Sequence, residues 1–193
     1  TRSLVITHNQ KLINALFHSS SGGITENSQD VWKNKFSYLK SVRDFDQDNP
    51  KLLWRAYFTE EQLLKLFPNI GGIKDIKIKQ ISDSGRIKNL KIFGQLGMKE
   101  IKGTKFRQIL GLKSTLFRFK FLNENNNNKM DNINDLAINS SPVLMISGMG
   151  AGHGVGMSQW GAKYMASKGY KAKEIIKYFY EGVEIKPFKN IYK

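Results

Sequence analysis

Cysteine is absent from this 193-residue sequence, which excludes disulfide bridges, cysteine-based zinc sites and thiol nucleophiles. Long apolar runs are absent too, because no stretch approaches the about 18 consecutive apolar residues that span a bilayer. The opening residues, TRSLVITHNQ, lack the basic, apolar and small-residue zones of a secretion signal, and no methionine begins the chain. We therefore expect a processed or truncated product of a longer protein, with membrane attachment only through a missing N-terminal segment.

Acidic residues are few. The sequence has 16 of them and 31 basic residues, which gives a net charge of +15. This charge favours anionic partners such as nucleic acid, acidic lipid or acidic wall polymers. Most of the basic residues are lysine, however, whereas arginine is the residue suited to bidentate contacts with phosphate and guanine. Lysine also accompanies abundant asparagine and isoleucine, which is typical of a genome-wide bias. We therefore predict no nucleic-acid partner, and keep a nucleic-acid-binding β-domain as a third interpretation.

The apolar pattern predicts an α+β fold with a strand-rich core, a few helices and two C-terminal helices. Residues 73–93 read as a hairpin that turns at Ser82–Gly85. Thr59 and Gln62 form a capping box at the start of a short helix. Apolar residues are 40% of the chain, enough to form a folded core.

The C-terminal third contains both predicted terminal helices. Ser158 is placed to cap a helix that runs to about residue 167, and a second helix is expected near residues 172–180. Residues 123–141 are rich in asparagine and predict a flexible loop or insertion. We expect a single domain over residues 1–193 that is incomplete at its N-terminus.

The stretch GAGHGVGMSQWGA, residues 150–162, contains five glycines in thirteen positions. It fits neither the dinucleotide pattern G-x-G-x-x-G nor a phosphate-binding P-loop, because the last glycine of the first pattern and the lysine of the second are missing. The nucleophile elbow G-x-S-x-G fails as well, because Trp160 replaces its final glycine. His8, His18 and His153 have no short metal-ligand spacing, so we predict no metal and no cofactor, although a three-histidine site stays open.

The alternating glycines of this stretch instead favour a binding loop. Glycine allows positive φ angles and lets a backbone approach a ligand closely. His153 lies between two glycines and is expected to be displayed, while Gln159 offers a donor and an acceptor to sugar hydroxyls and acetamido groups. Trp160 is able to stack on the apolar face of a sugar ring, but Met157 and Trp160, three residues apart, are more typical of core at the start of a helix.

Two long segments resemble one known family. GHGVGMSQWGAKYMASKGYKAKEIIKYFYEGVEI (152–185) resembles the C-terminal signature of the SpoIID/LytB family, and FHSSSGGITENSQDVW (17–32) resembles its second hallmark. SGRIKNLKI (84–92) and FRQILGLKSTLFRF (106–119) resemble the segments between them. The resemblance implies action on peptidoglycan in the cell envelope, outside the cytoplasm.

The resemblance implies a lytic transglycosylase. Such an enzyme cuts between N-acetylmuramic acid and N-acetylglucosamine as the muramic C6 hydroxyl attacks C1 and leaves a 1,6-anhydro ring. One carboxyl group can protonate the leaving oxygen and then take the proton of the C6 hydroxyl. The family's catalytic glutamate belongs to an upstream stretch resembling E-x-L-K-A-Q-A-x-A-A-R-T, which this sequence lacks. The catalytic residue is therefore unknown, and activity of this chain is an open question.

We expect residues 17–32 and 150–162 to meet and form two walls of a glycan cleft. Glu26 has two open interpretations, one as a carboxylate bonded to neighbouring amides and one as a substrate contact. The expected partners are peptidoglycan glycan strands and other cell-wall remodelling proteins. The alternative function is a non-catalytic wall-binding or amidase-enhancing module of the LytB type. The candidate substrate-binding residues are His18, Ser19, Thr25, Glu26, His153, Ser158 and Gln159.

Overall fold

A computed structural model describes residues 3–32, 34–122 and 143–188. The fold is α+β with a strand-rich core and helices near the C-terminus, which confirms the predicted class. The asparagine-rich loop predicted at residues 123–141 lies outside the described residues. Within the described ranges, no helix is long and apolar enough to cross a membrane.

The described elements follow one another along the chain as strands interrupted by short helices. The strands are β1 (Leu4–His8), β2 (Lys11–Leu12), β3 (Phe17–His18), β4 (Leu53–Phe58), β5 (Asp75–Ile81), β6 (Ile87–Phe93), β7 (Met98–Lys102), β8 (Phe117–Phe121), β9 (Leu144–Met149), β10 (Met157–Ser158) and β11 (Glu184–Pro187). The helices are α1 (Ser28–Val31), α2 (Glu60–Leu66), α3 (Gly103–Ile109), α4 (Gln159–Ser167) and α5 (Ala172–Phe179), with a 3₁₀ turn at Pro68–Ile70.

The chain divides into two compact units. The first contains Thr1–Leu52, Ser82–Ser84 and Met149–Lys193, and the second contains Leu53–Ile81 and Gly85–Gly148. Residues 17–32 and 152–185, which carry the family resemblance, both belong to the first unit. The single domain predicted over residues 1–193 stays a prediction, since compact units within a chain do not by themselves define domains.

The first unit combines small sheets with the two C-terminal helices. One sheet has the order β11-β1-β2, and its β1–β2 hairpin turns at Asn9 and Gln10, whose φ angles of 48° and 62° are typical of a two-residue hairpin turn. A second sheet pairs β10 with β3. Helices α4 and α5 pack beside these strands around one apolar cluster. Its buried members are Tyr38, Leu39, Val155, Met165, Ile175, Phe179, Tyr180 and Val183.

The second unit has its own apolar core between two three-stranded sheets, β5-β6-β7 and β4-β9-β8. The predicted hairpin is confirmed, since β5 and β6 pair antiparallel across the Ser82–Gly85 turn. The predicted capping box is also confirmed, because Thr59 Oγ1 accepts from the Gln62 amide at 3.2 Å and the Gln62 side chain accepts from the Thr59 amide at 3.0 Å. Phe106 of α3 stacks on Phe117 of β8, with ring centroids 5.8 Å apart.

Candidate functional site

Two segments, residues 17–32 and 150–162, meet along the backbone of the first unit, and we call them the paired segments. Strand β3 pairs in parallel with β10, so that Phe17 lies opposite Met157 and His18 opposite Ser158. Two isolated bridges extend the contact, one between Ser20 and Ala151 and one between residues 26 and 155. Backbone pairing therefore joins segments that are more than a hundred residues apart in the sequence.

The glycines of the second paired segment allow this close approach. A Cβ atom on Gly156 would lie 2.1 Å from the Leu16 carbonyl oxygen, and one on Gly152 would lie 2.7 Å from His18 Cβ. Real side chains do not tolerate such distances. Both glycines also have positive φ angles, 73° and 114°, which strain any other residue. Two of the alternating glycines are thus explained by close contact with residues 16–18.

His18 and His153 lie side by side with their ring centroids 5.6 Å apart. The backbone of Val155 orients both rings: its N–H donates to His153 Nδ1 and its carbonyl oxygen lies against His18 Nδ1, each at 3.1 Å. A carbonyl oxygen only accepts, so His18 Nδ1 carries a proton, whereas His153 Nδ1 uses its lone pair. One buried residue therefore gives the Nδ1 atoms of the two histidines opposite hydrogen-bonding roles.

Two predicted site residues of the first segment are buried and hydrogen-bonded within the protein. Thr25 Oγ1 accepts from the Val42 amide at 2.8 Å. The Glu26 side chain, 1% exposed, accepts from the Asn27 amide at 2.9 Å and from the hydroxyls of Ser82 and Ser84, the latter at 2.7 Å. This arrangement supports the interpretation of Glu26 as a carboxylate that holds the loop, because a buried and bonded carboxylate has little access to a polymer.

A buried carboxylate holds the serine–glycine loop of the first paired segment. Asp46 Oδ2 accepts from the Ser20 hydroxyl at 2.5 Å and from the Gly22 amide at 2.7 Å, and Oδ1 accepts from the Gly23 amide at 2.9 Å. Charge-assisted bonds of this kind are stronger than bonds between neutral groups. Asp46 therefore fixes the backbone of residues 20–23.

A second buried carboxylate connects the same loop with helix α4. Asp44 Oδ2 accepts from the Ser21 hydroxyl at 2.5 Å, and the carboxylate is also hydrogen-bonded to Ser158. Burial raises the pKa of Asp44 above its ordinary value, and the nearby Asp46 adds to this rise, while the bonds from Ser21 and Ser158 oppose it. Ser158 Oγ accepts from the Gly161 amide at 3.1 Å, as predicted for a helix cap.

The predicted site residues differ in their access to solvent. Gln159, the first residue of α4, is exposed, and Ser19 and His153 are half-buried. His18, Thr25, Glu26 and Ser158 are buried. All seven predicted residues thus lie in one unit. Three of them are accessible to solvent, and the other four are buried. Among the described residues, no group of three or more histidine, aspartate or glutamate side chains is arranged to hold a metal ion.

Sequence reasoning missed several residues that shape this site. Asp44 and Asp46 lie outside the helices and strands, and no known motif marks them. Val155 was overlooked because an apolar residue acts here through its backbone. Trp32 is the last residue of the first paired segment, and its ring contacts that of His153 at a centroid distance of 5.1 Å.

Comparison with known proteins finds relatives along nearly the whole sequence. The chain is 33% identical over 188 residues to Stage II sporulation protein D of Bacillus amyloliquefaciens, which is 96% of this chain and 48% of that protein. It is 32% identical, with the same coverage, to Stage II sporulation protein D of Bacillus subtilis (strain 168). It is 27% identical over 225 residues to the Amidase enhancer of Bacillus subtilis (strain 168), covering 96% of this chain and 31% of that protein. These similarities support a SpoIID/LytB-like family for this chain.

The similarity to these relatives confirms the resemblance to the SpoIID/LytB family noted in the sequence. Residues 54–156, slightly more than half of the chain, match a family described as Domain of unknown function (DUF8618), and the chain belongs to that family. The chain spans about half the length of the sporulation proteins it matches, and about a third of the amidase enhancer.

Proposed function

We propose that this chain binds the glycan strands of peptidoglycan at its paired segments, in the cell envelope outside the cytoplasm. The relatives are named for sporulation and for enhancement of an amidase, which suggests a function in the cell wall during sporulation. The chain spans about half the length of the sporulation proteins, so the activity of those whole proteins is part of this proposal.

The observation that carries the proposal is the juxtaposition of His18 and His153 at 5.6 Å. Glycans present many hydroxyl and acetamido groups, which need directed donors and acceptors. The two rings are held by Val155 in fixed orientations, and Gln159 lies exposed one residue after β10. Such preorganised polar groups lower the entropic cost of binding a polymer.

The finer proposal concerns catalysis by a longer protein. There the family's upstream glutamate protonates the glycosidic oxygen, which leaves with its bonding electrons, while the muramic C6 hydroxyl forms a new bond to C1. The glutamate regains its proton from that hydroxyl, so neither water nor any cofactor is consumed. In this scheme the paired segments hold the strand, and the product carries a 1,6-anhydro end.

A second candidate function is a non-catalytic module that assists another wall enzyme. The observation in its favour is the 27% identity to the Amidase enhancer of Bacillus subtilis over 96% of this chain. In this case the chain binds the wall and raises the activity of an added amidase without cutting glycan. Both candidates share the binding step, and they differ in the bond that is finally broken.

The binding proposal is tested by sedimentation with purified sacculi. We expect the chain to be retained, and His153→Ala and Gln159→Ala each to weaken retention about fivefold, the equivalent of one lost hydrogen bond. Gln108→Ala, in an exposed position on α3, is the matched control and should bind normally. If the unmodified chain stays in the supernatant, the proposed function is wrong.

The two candidates are separated by mass spectrometry of muropeptides. We expect no anhydro ends from this chain alone, and their release once a segment carrying the family glutamate is joined to its N-terminus. If the extended chain releases none, while this chain accelerates an added amidase, the amidase-enhancing candidate replaces the transglycosylase.

A further inference from the structure

We infer that Trp32 is a stacking platform for one pyranose ring of the bound glycan. The inference rests on the proposed function, because it adds a subsite to the same paired segments. It assigns to the indole a substrate-facing role that the sequence reasoning did not give it.

Three rings form a continuous row from the surface into the first unit. Trp32 contacts His153 with centroids 5.1 Å apart, and His153 contacts His18 at 5.6 Å. Exposure falls along the row, since Trp32 is 38% exposed, His153 is half-buried and His18 is 4% exposed. A sugar that packs on Trp32 therefore lies directly beside the histidine pair.

The contact with His153 leaves indole surface for a ligand. The two ring planes are inclined by 62°, an edge-type arrangement that covers at most one face of the indole. The other two tryptophans differ. Trp54 is buried in the core of the second unit, and the ring of Trp160 is faced by Lys163 Nζ at 4.4 Å.

The position of Trp32 is fixed by its backbone surroundings. Its amide donates to the Ser28 carbonyl at 2.9 Å and closes the single turn of α1. Ser28 is buried, its amide donates to the Leu39 carbonyl at 3.1 Å and its hydroxyl accepts from the Phe36 amide at 2.9 Å. A platform held in this way loses little conformational entropy when a ligand packs on it.

The chemistry of the indole selects a pyranose over an anionic group. One face of a pyranose ring presents C–H groups, which pack on the electron-rich face of an aromatic ring, while the hydroxyls point to the rim. Polar groups at the rim then meet the histidine pair. This combination fits an N-acetylated glycan and gives no advantage to the acidic stem peptides of the wall.

The test uses the full 193-residue chain and glycan strands freed of stem peptides by amidase digestion. We expect calorimetry to show about tenfold weaker binding for Trp32→Ala and a smaller loss for Trp32→Phe, which keeps an aromatic face. Tyr170→Ala is the matched control, because Tyr170 is an exposed aromatic residue of the same unit, between α4 and α5. Glycan should also quench tryptophan fluorescence in the unmodified chain and quench it less in Trp32→Phe.

The outcomes separate this inference from the proposed function. If Trp32→Ala and Trp32→Phe, both folded by circular dichroism, bind glycan as tightly as the unmodified chain while His153→Ala binds weakly, the stacking platform is wrong and the glycan site stands. If the unmodified chain binds no glycan, both are wrong. If Trp32→Ala loses affinity for isolated stem peptides and keeps it for glycan, the platform serves peptide and the inference is overturned.

Discussion

Tyr180, at the end of α5, contacts the first paired segment at its edge. Its hydroxyl donates to the Leu16 carbonyl at 2.7 Å, one residue before β3 begins. Burial raises the pKa of Tyr180 to about 12. A single phenol thereby links the C-terminal helix to the segment that presents His18.

We predict that Tyr180→Phe changes how stability depends on alkaline pH. Below pH 10 both the folded and unfolded states keep the proton, since the ordinary pKa of tyrosine is about 10. Between about 10 and about 12 the unfolded state ionises first, so the stability contributed by Tyr180 is lost as the pH rises. Urea unfolding at several alkaline pH values should give a flatter decline for Tyr180→Phe than for the unmodified chain.

The same substitution removes a hydrogen bond, so Tyr180→Phe should be less stable by about 1 kcal/mol at neutral pH. Tyr170→Phe, at an exposed tyrosine, is the control and should follow the unmodified curve. Parallel declines for Tyr180→Phe and the unmodified chain would contradict the raised pKa.

The sequence predicted the roles of residues with local partners better than those of residues with distant partners. Ser158 was predicted as a helix cap because the preference of serine for that position is local. The role of Glu26 stayed open because its hydroxyl partners, Ser82 and Ser84, lie more than fifty residues away. Contacts of that kind depend on the fold, and residue type alone does not reveal them.

Helix α4 is positioned by its contact with the loop that contains Asp44. A Cβ atom on Gly161 would lie 1.8 Å from Asp44 Oδ1 and 3.0 Å from Cγ. This glycine is the third residue of α4, and alanine is favoured over glycine within helices by up to about 1 kcal/mol. The close approach of the carboxylate therefore outweighs helix propensity at this position.

We predict that Gly161→Ala destabilises the chain by about 1–3 kcal/mol, because the added methyl group overlaps the buried carboxylate. The measurement is the midpoint of urea unfolding. Asp44→Ala removes the clash together with its hydrogen bonds, so Gly161→Ala should cost much less when it is made in the Asp44→Ala background. Equal costs in both backgrounds would refute the contact.

Elements with local signals were predicted more completely than elements with distant partners. The α2 capping box and the β5–β6 hairpin depend on neighbouring residues, and both are confirmed. The β3–β10 pair was not foreseen as a strand pairing, because each strand has two residues and their partners are about 140 positions apart. Tertiary contact decides whether such short segments become strands.

The whole molecule carries a net charge of +15, which acts at longer range than any single contact. Exposed charges are screened by salt over a Debye length of about 10 Å at 0.1 M and about 3 Å at 1 M. The anionic stem peptides and lactyl carboxylates of the wall should therefore contribute a salt-sensitive part of binding, separate from the contacts of the paired segments.

We predict that raising the salt from about 0.1 M to about 1 M weakens binding to intact sacculi by tenfold or more, as the positive charge is screened. Binding to uncharged N-acetylglucosamine oligomers is the control and should change little. Sedimentation and calorimetry in matched buffers give the two values. An equal salt dependence for both ligands would show that the net charge has no part in recognition.

The sequence by itself determined the fold class, the local caps and turns, and the family, because these depend on residue type, short-range spacing and the order of motifs. It also identified the two segments, residues 17–32 and 150–162, that pair in the fold. Only the tertiary structure decided that Val155 orients both histidines, that Asp44 and Asp46 hold the serine–glycine loop, and that Trp32 continues the ring row. These features join residues from distant parts of the chain, and their distances and burial exist only after the chain has folded.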